Sequence, residues 1–208
     1  IIVYVYLPDN HSTQPEQNKS PRIVLDLRLR YLMSIGIIIF TAFALVQSIT
    51  AFYIQDRFGL DLDRTAQTTA LLLGTMALAA IVSQLTVVQR YKGSALNLIK
   101  FSVPLFVLSV ILIIFSPNFN LFYLGMALMG LGMGLASPGY TASASLNADV
   151  QSQGAAVGLA MVAPGIGFAI GPFLSGILYS FSMNLPFLFI LPIYLILVLL
   201  LRKLELLN

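Results

Sequence analysis

Six apolar segments, each near the length that crosses a lipid bilayer, constrain this chain of 208 residues more than any other feature. A hydrocarbon core about 30 Å thick needs roughly 20 helical residues at about 1.5 Å each. The segments cover residues 31–54, 66–88, 98–115, 121–143, 154–180 and 183–201, and none contains Asp, Glu or Arg. The single Lys100 lies near the start of the third, where a long stem lets its ammonium reach the interface. The runs are continuous rather than alternating, which predicts helices and not strands of a membrane barrel. With 58% hydrophobic and only 9% charged residues, the chain has too little charge for a water-soluble surface and too much apolar area for disorder. The expected fold is an all-α membrane protein of six transmembrane helices.

Polarity is confined to the connections. Residues 1–8 begin with apolar IIVYVYL and read as the end of a truncated preceding helix. Residues 9–30 form a polar linker, 31–201 the six-helix domain and 202–208 a tail. Nine of the 11 Lys and Arg residues fall on one side of the spans, leaving Arg57 and Arg64 on the other. The positive-inside rule then places the linker, the second and fourth loops and the tail in the cytoplasm. The net charge of +3 does not suggest nucleic acid, because the basic residues flank apolar runs and form no continuous stripe. There is no Cys, hence no disulfide framework, thiolate metal site or Cys nucleophile. No HExxH, nucleophile-elbow, P-loop or dinucleotide pattern occurs, so no enzyme activity, metal or cofactor is expected.

Eleven of the 15 glycines lie between Gly125 and Gly176, which points to close-packed helices in the fourth and fifth spans. Six prolines lie inside spans, where neighbouring helices must re-satisfy the freed backbone groups. The fifth span reads GLAMVAPGIGFAIGPFLSG, with Gly158, Gly167, Gly171, Pro172 and Gly176 as its punctuation. Gly167 and Gly171 are a small-xxx-small pair, and Pro172 weakens the helix ladder beside them. The pattern serves either as a moving hinge or as a static packing surface.

That spacing resembles the glycine–proline motif of drug/proton antiporters in the major facilitator superfamily, a family of twelve-helix secondary transporters; Ser175 replaces a usual Gly. In that family the motif belongs to the fifth helix, with weaker versions in the eleventh. The loop around Arg90 and Gly93 resembles a degraded copy of the family's basic loop. The fourth span resembles the fourth-helix glycine pattern through Gly130, Gly132, Gly134 and Pro138, without its Arg. The resemblance implies a carboxyl-terminal six-helix half of such a transporter. It also implies a missing amino-terminal half as partner, a small-molecule substrate, and residence in a bilayer, that of a bacterial inner membrane.

Several residues are candidates for a substrate cavity. Phe40, Phe43, Gln47 and Thr50 recur at helical spacing and form either an aromatic-polar cavity wall or an interhelical packing face. Thr75, Met76, Met129 and Met133 lie near mid-span, as adaptable lining or as core filler. Tyr140 offers a hydroxyl near the cytoplasmic mouth or sits in an interfacial belt. Arg90 and Asp149 share the cytoplasmic face, where they form a latch unless Asp149 only favours the start of a helix.

The reading is a transporter that moves a small hydrophobic or amphipathic solute by alternating access, as proton-coupled efflux. A sugar or other metabolite carrier is the alternative within transport, and a non-transporting scaffold or anchor the alternative outside it. Cysteine-accessibility labelling should find Gln89–Ser94 cytoplasmic and Asp61 external; the reverse pattern overturns the charge argument.

Overall fold

The computed structural model describes residues 27–146, 158 and 160–206. Among these, every regular element is a helix: α1 (Leu27–Phe58), α2 (Leu62–Thr86), a short 3-10 turn (Val88–Arg90), α3 (Ala95–Phe115), α4 (Phe119–Leu146), α5 (Val162–Phe181) and α6 (Leu185–Leu206). All six α-helices are long and apolar enough to cross a membrane.

Several helices run past the expected spans, and two of them run into the expected linker and tail. α1 starts at Leu27 and so takes Leu27–Arg30 out of the expected linker, while α6 runs on to Leu206 through most of the expected tail. Leu, Arg, Lys and Glu are good helix formers with long stems, so a helix need not stop where the hydrocarbon stops. The expected start of the fifth span at 154 lies outside the described residues.

Local chemistry sets the first turn. Gly59 adopts φ of +62°, a left-handed conformation that ends α1. The Leu60 N–H then returns to the Gln55 carbonyl at 3.2 Å, capping the helix. Asp61 starts α2 by accepting the Arg64 backbone N–H at 2.8 Å.

The helices pack as two interleaved sets. α1 packs on α5 and α6, and α4 packs on α2 and α3, so the first helix of each triplet sits against the second and third of the other. α1 and α4 are the most buried helices, α2 and α5 the least. Glycines on α4 let two neighbours approach at once. Gly130 and Gly134 face α2, where an added Cβ would collide with the Met76 and Ala80 carbonyl oxygens. Gly125, Gly132 and Gly139 face α3, and a Cβ on Gly132 would lie 2.7 Å from the Phe106 ring. The Phe106 ring in turn stacks on Tyr194 of α6, with centroids 5.4 Å apart.

The end of the bundle carrying the α1–α2, α3–α4 and α5–α6 turns is tied by one network. Tyr53 is fully buried and donates to Asn184 Oδ1 at 2.9 Å. Arg57 donates to the Tyr53 hydroxyl and, at 2.7 Å, to the Ser116 carbonyl that ends α3. Tyr179 of α5 donates to the Asp56 carboxylate beside them. At the opposite end, Lys100 of α3 is ion-paired with Glu205 of α6.

Arg57→Met leaves the Ser116 carbonyl and the Tyr53 hydroxyl without their charged donor, and should lower stability by about 1.5–3 kcal/mol. Arg64 meets Asp61 at 3.6 Å on an exposed surface, so Arg64→Met should cost under about 1 kcal/mol. Thermal unfolding of the two variants in detergent measures the difference; equal losses would rule out the network as a structural tie.

Candidate functional site

Phe40 and Thr50 are buried in α1, while Phe43 and Gln47 are half-buried. Thr50 donates to the Val46 carbonyl of its own helix at 2.7 Å, so its hydroxyl is already engaged. Phe40 meets Tyr140 edge-on at 5.9 Å and Phe168 at 6.1 Å, and Phe43 meets Phe168 at 6.3 Å. The structure therefore gathers Phe40, Phe43 and Tyr140 with Phe168, where α1, α4 and α5 converge. Gln47, Thr50 and Thr75 lie outside this ring cluster.

Tyr140 is a core residue of the bundle. It is fully buried, and its hydroxyl donates to the Ala160 carbonyl at 2.9 Å. The reason lies four residues on: Pro164 has no N–H to give that carbonyl, and the Tyr140 hydroxyl takes its place. Met76, Met129 and Met133 are likewise buried within the core. Met76 supplies the carbonyl that faces Gly130. Thr75 is half-buried and donates to the Leu71 carbonyl at 2.8 Å. Met76, Met129 and Tyr140 are thus enclosed by helices of the same bundle and offer a solute little surface here.

The five residues of the glycine–proline pattern do not share one face. Gly167 and Gly171 are buried against α1: a Cβ at Gly167 would lie 2.6 Å from Phe40 Cβ, and one at Gly171 would lie 2.8 Å from the Thr41 carbonyl oxygen. Ala163 and Ser175 extend the strip at four-residue spacing. Pro172 and Gly176 are one step further round and exposed, and a Cβ at Gly176 meets nothing within 4 Å. Gly158 is also exposed and open. It lies ahead of the start of α5 at Val162 and so is not part of that helix's strip. Arg90 is exposed in the 3-10 turn, and its expected partner Asp149 lies outside the described residues.

A cleft of about 660 Å³ opens between α2 and α4, toward the end opposite Arg57. Its polar lining comes from Gln84 and Gln89 on one side and Ser137, Thr141 and Ser145 on the other. Leu85, Val88, Pro138 and Ala142 supply apolar wall, and no lining side chain is charged. Thr141 donates to the Ser137 carbonyl at 3.1 Å, which leaves its oxygen lone pairs for an incoming donor. The arrangement suits a neutral or amphipathic molecule that hydrogen-bonds along one edge. The cavity candidates read from the sequence include none of these residues. The available signal was the four-residue recurrence Ser137, Thr141, Ser145, which puts three hydroxyls on one face of a Pro-containing span.

The sequence pattern of the Major Facilitator Superfamily matches residues 87–206, more than half of the chain. The chain belongs to the major facilitator superfamily. The crystal structure of the human organic anion transporter MFSD10 (TETRAN) is similar in fold, with a TM-score of 0.72 at 18% identity. The match covers 83% of this chain and 40% of that one, so the chain spans well under two thirds of that transporter's length. No curated protein matches the chain. The six helices have the architecture of one half of a major facilitator bundle, and the chain is an integral membrane protein.

The split of the glycine pattern across two faces is testable. Gly171→Val puts three carbons against the α1 backbone and should destabilise by about 1–3 kcal/mol or more. Gly176→Val enters open space and should stay within about 0.5 kcal/mol. Unfolding of each variant in detergent decides; equal effects would refute the placement of α1 on Gly171.

Proposed function

We propose that this chain forms half of a secondary transporter that moves a small amphipathic solute by alternating access against a second six-helix half. The observation that carries the reading is the uncharged α2–α4 cleft. It combines two amides and three hydroxyls with apolar wall, beside α2, the helix least enclosed by the bundle itself. A midplane solute path between two halves is how such folds transport. The glycine–proline pattern, similar to that of drug/proton antiporters, supports proton-coupled efflux as the mode. The coupling carboxylate is then expected in the other half, since the six apolar segments contain no acid. The charge asymmetry supports a cytoplasmic location for the Lys100–Glu205 end and an external one for the Arg57 end. A bacterial inner membrane fits the same resemblance.

A hydroxyl-rich metabolite would use the same amides, and the hydroxyl ladder Ser137, Thr141, Ser145 favours it as the second reading. Transport by the full-length protein in proteoliposomes separates the two. Gln84→Leu should raise KM about tenfold for an amphipathic solute whose one polar edge it meets. For a sugar, which depends on several such bonds, the loss should approach a hundredfold. An unchanged KM for every solute tried would remove the cleft from the path, and absence of any flux would favour a scaffold.

A further inference from the structure

A second cleft, of about 300 Å³, lies between α3 and α6, away from the α2–α4 face. Its lining is graded along the helices. Lys100, Arg202 and Glu205 stand at the end where α3 begins and α6 finishes, and Val103, Pro104, Val198 and Leu201 lie deeper. From Glu205 to Val198 is seven residues, about 10 Å of helix. The cleft therefore runs from charged to apolar over roughly the depth at which a lipid passes from headgroup to acyl chain.

The charges are not equivalent. Glu205 is already ion-paired with Lys100, so its carboxylate is engaged. Arg202 is exposed and has no ion-pair partner among the described residues. The cleft thus presents a net single positive charge. Its free member is a guanidinium, whose planar fork matches two phosphate oxygens. Lys100 has three donors, of which Glu205 does not exhaust all. A phosphodiester with an uncharged headgroup complements this site. A zwitterionic headgroup would leave the net charge uncompensated, and its ammonium would find the carboxylate occupied.

We infer that the α3–α6 cleft is a binding site for one anionic phospholipid of the phosphatidylglycerol type. Its phosphate lies on Arg202 and Lys100, and an acyl chain runs along Val103, Pro104, Val198 and Leu201. The inference does not depend on the transport reading, because neither helix contributes a lining residue to the α2–α4 cleft.

Native mass spectrometry of the full-length protein, released from detergent and titrated with phosphatidylglycerol or phosphatidylcholine, tests it. The unmodified protein should bind phosphatidylglycerol at least about tenfold more tightly. Arg202→Gln should bring phosphatidylglycerol down to the phosphatidylcholine level while leaving the Lys100–Glu205 pair in place. Val198→Phe fills the apolar part without changing charge and should weaken binding of both lipids. Lys203→Gln, at the same end but outside the cleft, should change neither. Equal affinity for the two lipids, or equal losses from Lys203→Gln and Arg202→Gln, would overturn the site in favour of general surface charge. Undiminished binding in Val198→Phe would overturn it as well.

Discussion

Backbone-to-backbone approach at glycine is the contact on which the rest of this bundle depends. In lipid, helices gain nothing by hiding apolar side chains from a solvent that is equally apolar, so association rests on close packing and polar contacts between helices. α4 meets this condition twice. One glycine pair admits α2 and a seven-residue series admits α3, so a single helix holds two neighbours within backbone range. α5 does the same to α1 with Ala163, Gly167, Gly171 and Ser175. The aromatic contacts are arranged by these approaches. Phe106 reaches Tyr194 only because Gly132 leaves its ring room.

Prolines impose the complementary requirement. Each one inside a helix leaves a carbonyl four residues earlier without its donor, and in hydrocarbon that carbonyl needs another. Tyr140 answers Pro164 in this way by reaching from α4 to Ala160. The Tyr140 hydroxyl is therefore engaged in holding the start of α5. The same logic separates the two bundle ends. The Arg57 end is closed by charged and hydroxyl donors placed on turn carbonyls and side chains. The other end carries both clefts.

The helices were legible because their signal is compositional: about 20 residues without an acid or an Arg read as a span whatever they touch. The small-residue pair Gly167 and Gly171 was legible as a surface for close approach, since spacing alone puts both on one side. That the approaching helix is α1 was not, because partner choice depends on tertiary geometry. Pro172 and Gly176 were grouped with that pair by family pattern, yet 100° per residue turns them off its face. Tyr140, Met76 and Met129 show the same limit: mid-span polarity or softness marks a side chain as protein-facing, but not whether it faces a cavity or another helix. The cleft residues went unselected for the opposite reason. Gln84 and Ser145 lie near helix ends, where polar side chains are unremarkable until two helices are seen to diverge around them.

The attachments of α5 bear on whether its glycine face moves. Near its start the helix is held through the Ala160 carbonyl to Tyr140 of α4, and near its finish through Tyr179 to Asp56 of α1. Between these pins it meets α1 on a strip of small side chains, which offers little to interlock. Within the same stretch Pro172 withholds the N–H that the Phe168 carbonyl would accept, so the ladder is weakest there. A rigid slide of α5 along α1 would have to break both pins. A bend at Pro172 breaks neither, and needs only that the strip on either side of it remain smooth. If α5 changes shape in a transport cycle, bending at Pro172 is therefore the lower-cost route, and the small residues at Gly167 and Gly171 are what keeps that route free of collision.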